Sequence, residues 1–136
     1  MDNNQSSITK KQTIINNQIQ NTRKFDLEER TTEFAKKVIN LCKILPRNTI
    51  NIPLISQIVR SAGSIGANYR EANDALGKKD FIRSLKISRR EAKETLHWLE
   101  IIEEANLELK LQIPNLKKEC VELKNILSAI IDKSQK

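Results

Sequence analysis

The sequence predicts an all-α protein, an up-down-up-down antiparallel four-helix bundle behind a polar N-terminal segment. Three observations carry this. Apolar residues recur every three or four positions in four successive stretches. Gly and Pro contribute only three residues each to the 136, too few for the turns of a sandwich or barrel. The breaks between the stretches are short, so successive helices must fold back on one another. The length suits one domain and not an enzyme with separate cofactor and substrate halves. No apolar run approaches the roughly 20 residues of a membrane span. The N-terminus MDNNQSSITKK lacks the apolar core of a signal peptide, so the expectation is a cytoplasmic protein with no membrane partner. Cys42 and Cys120 stand far apart without a CxxC pattern and read as reduced, semi-buried thiols.

Residues 1–24 are rich in Asn, Gln, Ser and Thr, with Ile8, Ile14, Ile15 and Ile19 as their few large apolar residues. Such a segment buries too little apolar surface to offset its ordering entropy, and it reads as a disordered solubilising arm or a partner-binding arm. Asp26 followed by Glu29 resembles a capping box, with Phe25 as its staple. Leu27, Phe34, Val38, Leu41 and Leu45 then stripe a first helix over about 27–45, which stops before Pro46. A second helix, about 52–76, carries Pro53 in its first turn and the stripe Leu54, Ile58, Ser61, Ile65, Asn68, Ala72 and Leu76. Gly77 punctuates its end. The third, about 78–106, buries Phe81, Leu85, Ser88, Ala92, Leu96 and Leu99, and the fourth, about 114–133, buries Leu116, Cys120, Leu123, Leu127 and Ile130.

Several residues break this pattern. Gly63 and Gly66 lie inside the second helix at a cost of about 1 kcal/mol each, which close packing of a neighbouring helix, or of a ligand, would offset. Ser61 and Asn68 fall on the apolar stripe and need partners. If the second and third helices fold about Gly77, positions whose numbers sum to roughly 155 face one another. Arg60 then pairs with Glu94 or Glu91, and Ser61, Ser64 and Asn68 complete a structural polar layer. Glu94-Thr-Leu-His97 is the Glu-x-x-His segment of di-iron bundles, but the chain has a single histidine, so no metal is expected. No nucleophile with a nearby base appears, and no cofactor is implied.

The third helix carries the most informative pattern. Lys79, Arg83, Lys86, Arg90 and Lys93 form a straight row opposite the apolar stripe, flanked by Arg89. The row is about 20 Å long. Beyond His97 the sign reverses at Glu100, Glu103, Glu104 and Glu108. This order opposes the helix dipole, which favours acids first. Nucleic-acid binding would explain it, as would a head-to-tail contact between the basic half of one subunit and the acidic half of the next. A solvated face with incidental charge is the third reading. Ile87, Trp98 and Ile101 lie between the core face and the row, as interface candidates or, for Trp98, as a cover for the bundle edge.

The stretches FDLEERTTEFAKKVINL (25–41), QIVRSAGSIGANYREA (57–72) and KKDFIRSLKISRREAKETLHWLE (78–100) resemble the four-helix-bundle family named for proteins encoded in 23S ribosomal RNA intervening sequences. The resemblance covers about residues 25–130. Arg60, Ser61, Ser64, Asn68, Glu71, Glu91, Glu94 and Trp98 match its characteristic positions, while Gly77 stands where such sequences often carry Ser. A related family is the accessory variability determinant of diversity-generating retroelements, a basic, nucleic-acid-binding partner of a reverse transcriptase. The resemblance implies a homopentameric ring without enzymatic activity. The functional expectation is RNA or DNA binding with little sequence preference through Lys79, Arg83, Lys86, Arg89, Arg90 and Lys93. The competing expectation is a pure assembly protein, partnering a reverse transcriptase, whose charge rows are subunit contacts.

Overall fold

The structure is a computed structural model, and it describes residues 27–109 and 112–136. Among these residues there are four α-helices: α1 covers 27–44, α2 Asn51–Asn73, α3 Lys78–Ala105 and α4 Ile113–Ser134. A short 3-10 turn, Leu107–Leu109, follows α3. The N-terminal arm and the capping box built on Phe25 and Asp26 lie outside the described residues.

Each helix buries one stripe. From α1 come Leu27, Phe34, Val38, Leu41 and Leu45 (the last just past the helix), from α2 Leu54, Ile58, Ile65 and Ala72, from α3 Leu85, Ala92, Leu99 and Ile102, and from α4 Leu116, Cys120, Leu123, Leu127 and Ile131. Phe81, Leu96 and Ile130 are only partly buried against this core. The register of α4 differs from the expected one at its C-terminal end, where Ile131 takes the inward position and Ile130 the flank. Contacts between successive helices run in opposite senses. On α2 and α3, Asn51 meets Asn106, Ser61 meets Thr95, and Ile65 meets Ser88. On α3 and α4, Arg89 reaches Ser128, Ala92 reaches Cys120, and Glu103 reaches Lys117.

The ends of the helices are set by local chemistry. The side-chain oxygen of Asn48 accepts from the backbone N–H groups of Ile50 (3.1 Å) and Asn51 (2.8 Å), satisfying donors that the first turn of α2 leaves free. At its other end α2 stops at Asn73, before the expected Leu76. The Asp74 N–H is shared between the carbonyls of Arg70 and Glu71, and the Ala75 N–H bonds that of Ala72, tightening the chain into the turn. Leu76 is therefore not a stripe residue: it projects fully into solvent. Pro114 sits in the first turn of α4, where its missing N–H costs nothing.

The two helical glycines separate into different roles. A Cβ on Gly66 would stand 2.8 Å from Thr31 Oγ1 and 3.2 Å from its Cβ, so α2 approaches α1 through this glycine. A Cβ on Gly63 would meet nothing within 4 Å. Close packing thus accounts for Gly66 and not for Gly63.

Polar ties bind α1 to both neighbours. Arg30 donates from Nε and Nη2 to the two carboxylate oxygens of Glu119, each at 2.8 Å, and reaches Glu122 at 2.9 Å. This paired geometry holds the Glu119 carboxyl below its usual range. On the other side, Glu28 accepts from Arg70 (2.9 Å) and from Asn73 (2.7 Å).

Candidate nucleic-acid interface

The site is a surface of α3, and its orientation is fixed from inside. One face of the helix is held by Leu85, Ser88, Ala92, Thr95, Leu99 and Ile102, all buried. Ser88 donates to the carbonyl of Ile65 on α2 at 2.7 Å, and Cys120 on α4 places its thiol 3.1 Å from the Ala92 carbonyl. With that face pinned, the residues at the opposite angle must point outward. Lys79, Arg83, Lys86, Arg90 and Lys93 are all exposed, and none makes an ion pair among the described residues. Arg89 is set apart: half-buried, it turns toward α4 and donates to Ser128 at 3.4 Å.

The five outward cations, with Ile82, Ile87 and Arg89, line an open trough of about 810 Å³. All of its walls come from α3. It is relief between long side chains, suited to an extended polyanion and not to an enclosed small molecule. Beyond His97, Glu100, Glu104 and Glu108 are exposed and unpaired among the described residues, whereas Glu103 turns to Lys117 on α4 at 3.2 Å.

The polar layer lies on the α2 side of the same helix. Arg60 meets Glu91 at 3.0 Å and also pairs with Glu94. Beneath it, the hydroxyls of Ser61 and Thr95 are 2.8 Å apart, and Thr95 is also 2.8 Å from the Glu91 carbonyl. Ser64 and Asn68 do not join this layer. Each bonds back to its own helix, to the carbonyls of Arg60 and Ser64 respectively, both at 2.8 Å. Sequence reasoning missed Thr95, although it stands four residues after Glu91 on the side facing α2. It also missed the buried pair Asn51 and Asn106, whose amides exchange bonds of 3.0 and 2.9 Å at the far end of α2 and α3.

Trp98 and Ile101 are half-buried and pack against the core, and Ile87 is half-buried beside the trough. The Trp98 ring meets His97 edge-on with centroids 5.0 Å apart. Its buried Nε1 has no acceptor among the described residues. Also among the described residues, no three His, Cys, Asp or Glu side chains converge as metal ligands, and no helix is long and apolar enough to cross a membrane.

These features define a small all-α bundle whose distinctive chemistry is a polarised charge row on one outward helix face. Residues 23–129 match the family model described as 23S rRNA-intervening sequence protein. The chain belongs to that family. Among solved structures it is similar to a protein of unknown function from the S23 ribosomal protein family of Bacteroides thetaiotaomicron. The two share 34% identity at a TM-score of 0.74, over 80% of this chain and 97% of that one. No curated protein matches it.

Proposed function

We propose that this chain is a non-enzymatic, cytoplasmic accessory protein that assembles into a ring, a homopentamer by family resemblance, and binds RNA or DNA through the basic row of α3. The observation that carries this reading is that Lys79, Arg83, Lys86, Arg90 and Lys93 face solvent without an ion pair among the described residues. Arg30, Arg60 and Arg70, by contrast, are each held by a carboxylate. At about 1.5 Å per residue the row spans about 20 Å, the length of several duplex phosphates. Its contacts are with backbone charge, and aromatics make up only 4% of the chain, so base stacking and sequence preference contribute little.

The test is titration of a labelled RNA and a labelled DNA oligonucleotide between about 50 and 200 mM salt, where each phosphate contact contributes about 0.7–0.9 to the log–log slope. Replacing Arg83, Lys86, Arg90 and Lys93 by Ala weakens binding and flattens the slope. An unchanged slope overturns the assignment.

A second reading, an assembly protein that partners a reverse transcriptase, is favoured by the exposed Glu100 and Glu104 on the same helix and Glu108 in the turn after it, all unpaired among the described residues. It predicts that the quadruple variant loses its ring by light scattering and that the parent has no measurable nucleic-acid affinity.

A further inference from the structure

Helix α4 outruns α1 at the end of the bundle where the chain enters it. Glu28 meets Arg70 and Thr31 lies against Gly66, so α1 and α2 run in opposite senses, as do α2 and α3, and α3 and α4. Helices α1 and α4 are therefore antiparallel too. Arg30 bonds Glu119 and Glu122, which sets Leu27 level with about residue 124 of α4. From there α4 continues about ten residues, or about 15 Å, to Ser134. Ile126, Ile130 and Ser134 follow Glu122 at intervals of four, so they prolong the side of α4 that Arg30 engages. Ile126 and Ile130 are half-buried. Past them, Ser134 joins Ala72, Ala75, Leu76 and Phe81 around an open hollow of about 560 Å³. Leu76, on its rim, is fully exposed.

We infer that this strip and hollow are the docking site of the chain's own N-terminal arm, with Ile14, Ile15 and Ile19 laid over Ile126, Ile130, Phe81 and Leu76. Where the arm joins the bundle selects it as the occupant. Residues 1–26 lead into Leu27 at this same end, and Ile14, Ile15 and Ile19 fall within a stretch of six. The eight residues from Leu27 back to Ile19 span up to about 26 Å, and the twelve back to Ile15 about 40 Å, so both pass the end of α4 with chain to spare. A segment tethered so closely is held over the hollow at about millimolar effective concentration. The match to the family model begins at residue 23, so the arm supplies to this chain a surface that the family pattern does not include. The contact lies within one copy and leaves the ring as it is. Burial of three isoleucines is set against the lost freedom of a dozen residues, which makes the docking reversible.

Docking has an electrostatic consequence, which rests on the function proposed above. Lys10 and Lys11, just before Ile14, come to the end of the bundle where Lys78 lines the hollow and Lys79 starts the basic row. A polyanion along the row then bridges to the arm and tightens its docking.

Ile15→Cys/Leu76→Cys tests the site, since Cys42 and Cys120 are buried and Leu76 is no part of the core. Under mild oxidation the pair closes into an intrachain disulfide. Adding Ile14→Ser/Ile19→Ser, which leaves the tether length unchanged, slows closure at least tenfold; equal rates overturn the docking. Cross-links between chains instead place another copy's arm in the hollow and overturn the assignment to the chain's own. A second readout needs no added thiol. Trypsin cleaves after Lys10 and Lys11 at least tenfold faster in Leu76→Asp than in the parent, with helical circular dichroism unchanged, and equal cleavage also overturns the docking. Labelled single-stranded RNA separates the inference from the function it extends. RNA that binds Ile14→Ser/Ile15→Ser/Ile19→Ser more weakly than the parent supports the bridging, and equal binding removes the bridging alone. RNA that binds neither at any salt removes the function, while the closure rates still judge the docking.

Discussion

Gly63 and Gly66 lie three residues apart in α2 and have opposite requirements. Gly66→Ala forces a Cβ into the Thr31 side chain, whose Oγ1 would be 2.8 Å away. Thr31 is fully buried and bonds the Glu28 carbonyl, so it has little room to give. The overpacking exceeds the helix-propensity gain, and Gly66→Ala is expected to destabilise by about 1–2 kcal/mol in urea denaturation, with Thr31→Ala in the same chain recovering part of the loss. Gly63→Ala meets open space and is expected to stabilise by about 0.5–1 kcal/mol. The two thiols are equally contrasted with their expected semi-buried state. Cys120 is fully enclosed and Cys42 nearly so, and burial pushes their thiols up to about 12 and about 11. Neither should react with an aromatic disulfide reagent near pH 8 until the protein unfolds. Because folding raises both from the ordinary 9.0, their contribution to stability is complete below that value and is lost as pH rises through the folded values.

Among the elements, the apolar stripes were legible because helical period and burial coincide, as at Phe34, Val38 and Leu41. The level of Arg60 with Glu91 and Glu94 was legible as well, since a tight turn at Gly77 leaves one parameter, the pivot, to define which residues face. What a single sequence concealed was rotation of one helix against another. Nothing in the spacing says that α1 lies over Gly66 and not Gly63, that Ser61 finds Thr95, or that Asn51 and Asn106 close on each other. That last pair is a reciprocal amide clamp, with Asn51 also donating to the Pro46 carbonyl at 2.8 Å and Asn106 to that of Ile102 at 3.0 Å. Asn106→Leu leaves the Asn51 side-chain oxygen without its donor in the core and is expected to cost about 2–3 kcal/mol by chemical denaturation, while Asn51→Leu/Asn106→Leu costs less than the sum of the singles. The tie between α1 and α4 is instead sensitive to acid. Arg30 holds Glu119 below its ordinary 4.5, so the stabilisation is present above that pH and declines as pH falls through the lower folded value. Arg30→Ala should therefore lower the melting temperature at neutral pH and have progressively less effect on acidification, as thermal melts across that range would show.

At the scale of the whole molecule, the net charge of +7 is distributed unevenly. Residues 1–24 hold four basic residues against Asp2, so the bundle carries a small excess, and its arrangement matters more than its size. The basic row adds nothing visible to the fold. Its members are exposed, unpaired among the described residues, and spaced so that like charges lie one turn apart. Arg83→Ala/Lys86→Ala/Arg90→Ala/Lys93→Ala should therefore melt at or above the parent temperature, since each like-charge pair removed relieves about 0.2–0.5 kcal/mol. Loss of polyanion binding in that variant would then report function separately from folding. The chain also contains one tryptophan and one histidine, and the fold sets them in edge-to-face contact, 5.0 Å apart, at the position where the charge of α3 changes sign. Emission from Trp98 is thus an intrinsic optical gauge of that position. Any occupant that settles over His97 alters the light from a single fluorophore without a label being attached.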